Sequence, residues 1–207
     1  KTLVMNFSIV DPFTDEPYSR DPRNIASKAE AYLQSTGIAD TAYFAPEAEF
    51  YIFDNVRYST GVNEGYYHID SVEGWWNSGK DDGENKGYKT RLKGGYFPVA
   101  PVDSEQDLRA EMVRVLESVG VPVEVFHREV GAAGQMEIGT RFSTLVQRAD
   151  WTQRMKYVIW NVADRYGKTA TFMPKPYPGD NGSGMHVHQS IWRDGKNLFA
   201  GNGYAGL

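Results

Sequence analysis

The sequence predicts an α+β fold in which helices back an antiparallel sheet. Strand-like and helical segments seldom alternate one for one, as they would around a parallel sheet. Of the 207 residues, 41% are hydrophobic and 14% are aromatic, which is typical of a globular chain and not of a disordered one. This length allows one complete core, or one core with a fragment of a second.

The first half of the chain predicts two strands, one helix and a long irregular region. Leu3 to Ile9 has the composition of a strand. A helix is expected from about Pro22 to Thr36, because Gly37 supplies a stop signal. Thr41 to Asp54 is rich in aromatic residues and isoleucine and predicts the next strand. Residues 61–95 are rich in glycine and charge, which indicates long loops or short hairpins.

A second helix and a strand pair follow. From Ser104 to Val119, apolar residues recur at helical spacing. Asp107 lies three residues after Ser104, and this spacing suggests a capping box at the start of the helix. Residues 121–130 and 135–142 predict two paired strands around a turn of glycine and alanine.

The last part predicts a third helix and two more strands. The helix is expected from about Ala149 to Tyr166, with Gly167 after it, and a short strand from Thr169 to Pro174. A glycine-rich turn, residues 179–184, then precedes a strand. Side chains of a strand alternate between its faces, so four functional groups are expected on one face: His186, His188, Ser190 and Trp192.

The glycine-rich turn is not a phosphate loop of the Walker type. It lacks the Gly-Lys-Ser/Thr ending and precedes a strand, whereas a Walker loop precedes a helix. Its glycines are expected to let backbone atoms approach a ligand closely. The sequence therefore points to a ligand-binding turn of another kind.

Acidic residues recur in two places where strands are expected. Glu47 and Glu49 are two apart and share a strand face, and Glu129 and Glu137 bracket the 131–134 turn. An exposed acidic face and a solvated hairpin rim remain the alternatives for each pair taken alone. Together with His186 they form a set of four carboxylates and one imidazole, which favours Mg²⁺ or Mn²⁺ over zinc. Neutralising so many carboxylates requires more than one ion.

The other histidines and the overall charge narrow the possibilities. His68 and His127 are interpreted as surface or core histidines and not as ligands. With 22 basic and 27 acidic side chains and no basic cluster, a nucleic-acid partner is not expected. No apolar run approaches the roughly 20 residues that cross a bilayer. The chain has no cysteine, which excludes thiolate zinc sites and fits a cytoplasmic location.

Several segments, taken in order, resemble glutamine synthetase of the bacterial type I form. The matching segments cover nearly the whole chain: 6–23, 47–51, 93–97, 129–137, 172–176 and 180–190. The resemblance implies the curved antiparallel sheet of that family's catalytic domain. It assigns residues 1–17 to the last strand of a small, β-grasp-like N-terminal domain and 18–207 to the first part of the catalytic domain, truncated at the C-terminus. The missing initiator methionine fits a piece of a longer protein.

The resemblance also implies an activity. The family joins ammonia to glutamate at the expense of ATP, through γ-glutamyl phosphate, with two or more Mg²⁺ or Mn²⁺ ions per site. It implies a cytoplasmic, double-ring dodecamer for the parent protein, acting in glutamine biosynthesis. We expect little or no activity from the 207 residues alone, because further metal-binding and substrate-binding residues would follow Leu207.

Carried over by position, the resemblance assigns two metal sites. Glu49, Glu129 and Glu137 would hold one divalent ion. Glu47 and His186 would contribute to a second, which bridges to the ATP phosphates.

The resemblance assigns substrate contacts as well. Asn181 and Gly182 would bind glutamate. ATP would contact seven residues: Glu124, Thr140, Arg141, Phe142, His188, Ser190 and Trp192. Glu124 and Glu129 have opposite strand parity, so a bulge or turn must intervene if both line the site.

Three alternatives remain. A γ-glutamyl-amine (polyamine) ligase of the same superfamily would keep the phosphate-forming half and change the acceptor. The long match over 1–23 favours ammonia. A non-catalytic metal-binding scaffold would keep the packing and lose some ligands, whereas all five are present. A calcium- or sugar-binding module would bind without ATP.

Overall fold

The computed structural model describes residues 2–81 and 85–207. Its α-helices are α1 (Pro22–Ser35), α2 (Gln106–Ser118) and α3 (Leu145–Arg165), with short 3₁₀ turns at Trp75–Asn77 and Tyr204–Gly206. The strands are β1 (Thr41–Phe53), β2 (Asn55–Thr60), β3 (Gly65–Asp70), β4 (Val123–Arg128), β5 (Gln135–Thr140), β6 (Ser143–Thr144), β7 (Thr169–Thr171), β8 (Met185–Arg193) and β9 (Lys196–Asn197). Among the described residues, no helix combines the length and the apolar character that a membrane span requires.

Seven strands form one curled sheet in the order β4-β5-β1-β8-β9, and β6 and β7 also pair with β1. Strands β2 and β3 form a separate hairpin. The pairs of β1 with β5, of β4 with β5 and of β8 with β9 are all antiparallel. The predicted α+β class, an antiparallel sheet with helices, is confirmed.

The chain divides into two compact units. One contains the residues up to Pro46, Phe142–Arg154 and Val187–Leu207; the other contains Glu47–Arg141 and Met155–His186. Strands β1 and β8 each contribute residues to both units.

In the first unit, charged side chains attach α1 to the start of α3. The Asp21 side chain caps α1 by accepting from the Arg23 backbone N–H, and proline stands at the first helical position. The Arg23 guanidinium donates to both carboxylate oxygens of Asp150 at 3.2 Å. Arg148 is buried and donates to the Pro46 carbonyl at 3.3 Å, and burial lowers the pKa of Arg148 to about 10.

In the second unit, the apolar face of β1 lies in the core. Phe50 and Ile52 are buried, and the Phe50 ring contacts Phe172 with centroids 5.5 Å apart. Met136 and Ile138 on β5 are fully buried beside them. Because strand faces alternate, the odd-numbered side chains of this part of β1 point to the opposite side.

A buried ionic network packs behind β4. Arg128 is 1% exposed, and its guanidinium forms an ion pair with Glu73, which is 2% exposed. Arg128 also donates to the Gln135 carbonyl at 3.1 Å and the Ala132 carbonyl at 3.2 Å. The Arg109–Asp103 pair, at 2.6 Å, lies in the same network. Arg128 thereby attaches the β4–β5 turn to the loops beneath it.

Three local predictions differ from the structure. Within the described residues, 3–9 forms no strand, and the only pairing nearby is an isolated bridge between Val10 and Pro17. Ser104 does not cap α2: the helix begins at Gln106 after Glu105, without a side-chain cap. The Ser104 hydroxyl instead donates to Glu73 at 2.9 Å, because a buried carboxylate competes for it. Helix α3 also begins four residues earlier than predicted.

Candidate metal and substrate site

Strand register aligns three polar side chains across the sheet. His127 on β4 is the direct partner of Glu137 on β5, and Glu137 is the direct partner of Glu49 on β1. Directly opposed residues of an antiparallel pair share a face. The sheet therefore presents the His127 imidazole and the Glu137 and Glu49 carboxylates in one row across β4, β5 and β1, all within the second unit.

Glu129 joins this row from the residue after β4. His127 Nδ1 lies 3.6 Å from Glu129 Oε1, and His127 Nε2 lies 4.0 Å from Glu137 Oε1. One ligand atom from each of these three residues lies within 4.8 Å of the others. A single cation could contact all three, which fits the carboxylate-rich ligand sets of Mg²⁺ and Mn²⁺.

Glu47 and His186 form a second part of the same site. Glu47 Oε2 lies 3.8 Å from His186 Nδ1. Gly184 lies beside both parts: a methyl group added there would lie 3.3 Å from the His186 ring and 3.4 Å from Glu49 Oε1. The space above Gly184 is thus bordered by an imidazole and a carboxylate, and glycine keeps it open. All five predicted metal-binding residues lie in the second unit.

The electrostatics of the site favour a cation. Partial burial raises the pKa of Glu129, and the negative charges of Glu49 and Glu47 raise it further. Burial likewise raises the pKa of Glu137, and Glu47, Glu129 and Glu49 add to the effect. His127 opposes both shifts. A divalent cation would reverse the repulsion that these carboxylates exert on one another.

The glycine-rich turn is fastened to β1 and to the β4–β5 turn. The Tyr51 hydroxyl donates to the Asn181 carbonyl at 2.5 Å, and Asp180 accepts from the Asn181 and Ala132 N–H groups at 2.8 and 2.9 Å. A side chain at Gly182 would approach the Pro174 carbonyl to 2.5 Å, so glycine is required there. The backbone of Asn181 is therefore held at both its N–H and its C=O.

The predicted nucleotide-binding residues fall into both units. In the second unit, Arg141 donates to Glu124 at 3.2 Å, and Thr140 is buried in β5. In the first unit, the Trp192 indole donates to Ser190 Oγ at 2.9 Å, and its ring meets Tyr43 edge to face at 5.6 Å.

The other two predicted nucleotide-binding residues, Phe142 and His188, also lie in the first unit. Phe142 packs against Tyr43 with ring centroids 5.2 Å apart. His188 lies on β8 and is exposed.

The bulge expected between Glu124 and Glu129 is present. The register of β4 shifts so that Val123 opposes Thr140 while Val125 opposes Gly139. Glu124 is the extra residue, and the alternation of faces shifts by one across it. The bulge that Glu124 and Glu129 would need in order to line one site is therefore present.

One residue of the site was set aside in the sequence interpretation. His127 lies between Glu129 and Glu137 and stacks on Phe97 with centroids 4.4 Å apart. Its position two residues before Glu129 on the same strand is the signal that could have identified it. His68, in contrast, contacts Arg57 on the β2–β3 hairpin at 3.2 Å.

Comparison with known proteins identifies the family of the chain. Residues 19–207 match the family model described as "Glutamine synthetase, catalytic domain". The chain is 62% identical to a glutamine synthetase of Neisseria gonorrhoeae and 62% identical to a 3-hydroxylaminophenol mutase of Cupriavidus pinatubonensis, in each case over 207 residues. Both alignments cover 100% of this chain and 44% of the relative, so the chain spans less than half of either protein.

A solved structure also shows similarity to a glutamine synthetase. The chain matches a Plasmodium falciparum glutamine synthetase with a TM-score of 0.83 and 30% identity, over 93% of this chain and 38% of that one. The fold, the family model and the relatives agree. The chain belongs to the glutamine synthetase family.

Proposed function

We propose that this chain is part of an ATP-dependent ligase that joins ammonia to glutamate through γ-glutamyl phosphate. The observation that carries the proposal is the clustering of carboxylates and imidazoles in the second unit, with ligand atoms of His127, Glu129 and Glu137 within 4.8 Å of one another. Such a cluster is costly without cations, because burial and mutual repulsion raise the pKa of two of its members.

In this proposal the residues divide between two ions. Glu49, Glu129 and Glu137 hold one, and Glu47 and His186 contribute to the other. When bound, the ions supply neutralisation of the charge on the γ-phosphoryl group during its transfer.

The glycine-rich turn binds glutamate in this proposal, through Asn181 and Gly182. The backbone contacts of Asn181 with Tyr51 and Asp180 fix the orientation in which its side chain is presented. Gly182 allows the turn to lie against the Pro174 carbonyl. ATP is bound by the seven predicted residues: Glu124, Thr140, Arg141, Phe142, His188, Ser190 and Trp192.

The activity belongs, in this proposal, to a longer protein. The chain spans 44% of the glutamine synthetase of Neisseria gonorrhoeae. Residues 1–17, which pair with no other strand among the described residues, become the last strand of a small N-terminal domain in the full protein, 18–207 are the first part of the catalytic domain, and the full protein is a cytoplasmic dodecamer. The exposed apolar side chains of Leu3, Met5 and Phe7 are consistent with a strand that pairs outside these residues.

The test is Glu129→Ala in a full-length protein that contains this chain. We expect ATP-dependent glutamine formation to fall by more than about 100-fold, together with the loss of one bound ion, since even indirect changes at metal sites cost about 10- to 100-fold. Glu117→Ala is the matched control, because Glu117 is an exposed acid on α2. Unchanged glutamine formation in Glu129→Ala, with altered stability alone, would identify a scaffold and refute the proposal.

The same assay separates the acceptors. Ammonia and a polyamine are compared, because the metal-binding residues do not distinguish them. One relative at 62% identity carries the name 3-hydroxylaminophenol mutase, so 3-hydroxylaminophenol is supplied without ATP in a third arm. Glutamine formation that requires both ATP and ammonia is the expected result.

A further inference from the structure

The side chain of Gln135 is buried where three segments of the second unit meet. It is 1% exposed and stands at the first position of β5. Its amide contacts the β4–β5 turn, the Glu49 carboxylate on β1 and the glycine-rich turn. A polar side chain so deeply buried is retained only when its hydrogen bonds are satisfied.

The hydrogen bonds fix which way this amide points. Gln135 Oε1 accepts from the Gly131 N–H at 2.8 Å, and a carbonyl oxygen is the only end of an amide that can accept. Its Nε2 therefore faces Glu49 Oε2 at 2.8 Å and the Gly182 carbonyl at 2.9 Å, and donates to both. Rotating the amide by half a turn would place Nε2 against the Gly131 N–H and Oε1 against the Glu49 carboxylate. Only the observed orientation therefore satisfies these hydrogen bonds.

Glu49 receives a second donor on the same oxygen. The Gly184 N–H lies 3.2 Å from Glu49 Oε2, so this oxygen is held from two sides. The other oxygen, Oε1, borders the open space above Gly184 and faces the His186 ring across it. One oxygen of Glu49 is thus committed to the protein, and the other is directed into the candidate site.

We infer that Gln135 is a positioning residue: it orients the Glu49 carboxylate for a divalent cation and links that carboxylate to the turn containing Gly182. The inference rests on the proposed role of Glu49 as a metal ligand. Groups that hydrogen-bond to a metal-binding side chain fix its orientation, and removing them lowers metal affinity by about 10- to 100-fold. Because the same Nε2 also donates to the Gly182 carbonyl, a displacement of the glycine-rich turn would be transmitted to Glu49 through the Gln135 side chain.

The first experiment compares two variants of the chain that loosen the same turn. Gln135→Met removes the contact with Glu49, whereas Tyr51→Phe removes only the hydrogen bond to the Asn181 carbonyl. Mn²⁺ alone is titrated and free Mn²⁺ is followed by electron paramagnetic resonance. We expect Gln135→Met to bind Mn²⁺ about 10- to 100-fold more weakly and to alter the spectrum of the bound ion. Tyr51→Phe should differ from the parent chain by less than about 3-fold.

The second experiment is a double-mutant cycle with Glu49→Gln. If Gln135 acts through Glu49, Gln135→Met weakens Mn²⁺ binding in the parent chain but has no further effect in Glu49→Gln. Equal losses in both backgrounds, or equal losses in Tyr51→Phe and Gln135→Met, would mean a general loosening and overturn the inference.

The cycle also separates the inference from the function on which it rests. If Glu49→Gln binds Mn²⁺ as tightly as the parent chain, the metal-binding role of Glu49 fails and the inference fails with it. If Glu49→Gln weakens binding while Gln135→Met does not, only the inference fails. Circular dichroism checks that each variant is folded. Should Gln135→Met not fold, Gln135→Asn replaces it with the same expected losses, because asparagine is one methylene too short to reach both Gly131 and Glu49.

Discussion

Replacing Arg128 with methionine is expected to cost about 3–5 kcal/mol of the free energy of unfolding. Methionine fills a similar length but carries neither charge nor donors. Arg128 and its partner Glu73 are 1% and 2% exposed, so the substitution leaves a buried carboxylate without its cation. Removing one partner of a buried ion pair destabilises a protein far more than the intact pair stabilises it, because the remaining charge stays buried without a partner.

The neighbouring contacts agree with the size of this effect. The Arg128 guanidinium also donates to the carbonyls of Gln135 at 3.1 Å and Ala132 at 3.2 Å. Losing a donor to a buried carbonyl costs about 1–3 kcal/mol where no water replaces it. The range of about 3–5 kcal/mol describes the removal of one whole partner, and the two additional donor contacts place Arg128→Met at its upper end. Since domains are stable by only about 5–15 kcal/mol, this is a large fraction.

The effect should depend on pH in a defined direction. Burial raises the pKa of Glu73, and Arg128 acts against that rise. Without Arg128 the pKa of Glu73 rises further, so the folded variant binds a proton that the unfolded chain has released. When the pKa of a carboxyl group is higher in the folded protein than in the unfolded chain, the folded protein becomes less stable as the pH rises above the unfolded-state pKa of about 4.3. The cost of Arg128→Met should therefore be larger at pH 8 than at pH 5.

Urea denaturation followed by circular dichroism at both pH values measures this. Arg114→Met is the matched control, because Arg114 pairs with Glu111 at 2.6 Å on the exposed face of α2 and surface pairs contribute little. The reasoning is refuted if Arg128→Met lies within about 1 kcal/mol of the parent chain, or if its cost is larger at pH 5 than at pH 8.

Two further predictions concern the turn and the acidic cluster. Gly134→Ala should destabilise the chain by about 1–3 kcal/mol, because Gly134 has φ +95° and a methyl group would overlap the Ile52 carbonyl oxygen. Gly79→Ala, with open space around it, should change stability by less than about 0.5 kcal/mol, and equal melting temperatures for both variants would contradict this. Glu137→Gln should raise the melting temperature without metal, more at pH 8 than at pH 5, since burial and its acidic neighbours raise the pKa of Glu137. With Mn²⁺ present the same variant should gain less stability than the parent chain, and a gain equal to the parent's would count against a metal at Glu137.

The sequence predicted elements well where the signal is local. The glycines that end α1 and α2, Gly37 and Gly120, have φ of +68° and +80°, and these left-handed conformations explain why the helices stop there. The bulge at Glu124 also followed from local reasoning, because two residues on one strand could not otherwise share a face. Strand alternation alone was sufficient to group Glu47 with Glu49.

Other features depend on partners that lie far away in the chain. Ser104 fits a capping position, yet its hydroxyl binds Glu73, 31 residues earlier. Residues 3–9 have strand-forming side chains but no paired strand among the described residues. Gln135 carries no signal of its role, since its contact with Glu49 spans 86 residues and requires the β1–β5 register.

Strand β4 presents different functions on its two sides. His127 faces the candidate site, while Arg128 faces the buried ionic network. An insertion or deletion of one residue within the strand would invert these faces, burying the imidazole and exposing the guanidinium. The extra residue at Glu124 is accommodated because it lies on the far side of His127, where the strand can change parity without turning the site over. A one-residue change of length in β4 is therefore expected to be tolerated only at the end of the strand that precedes His127.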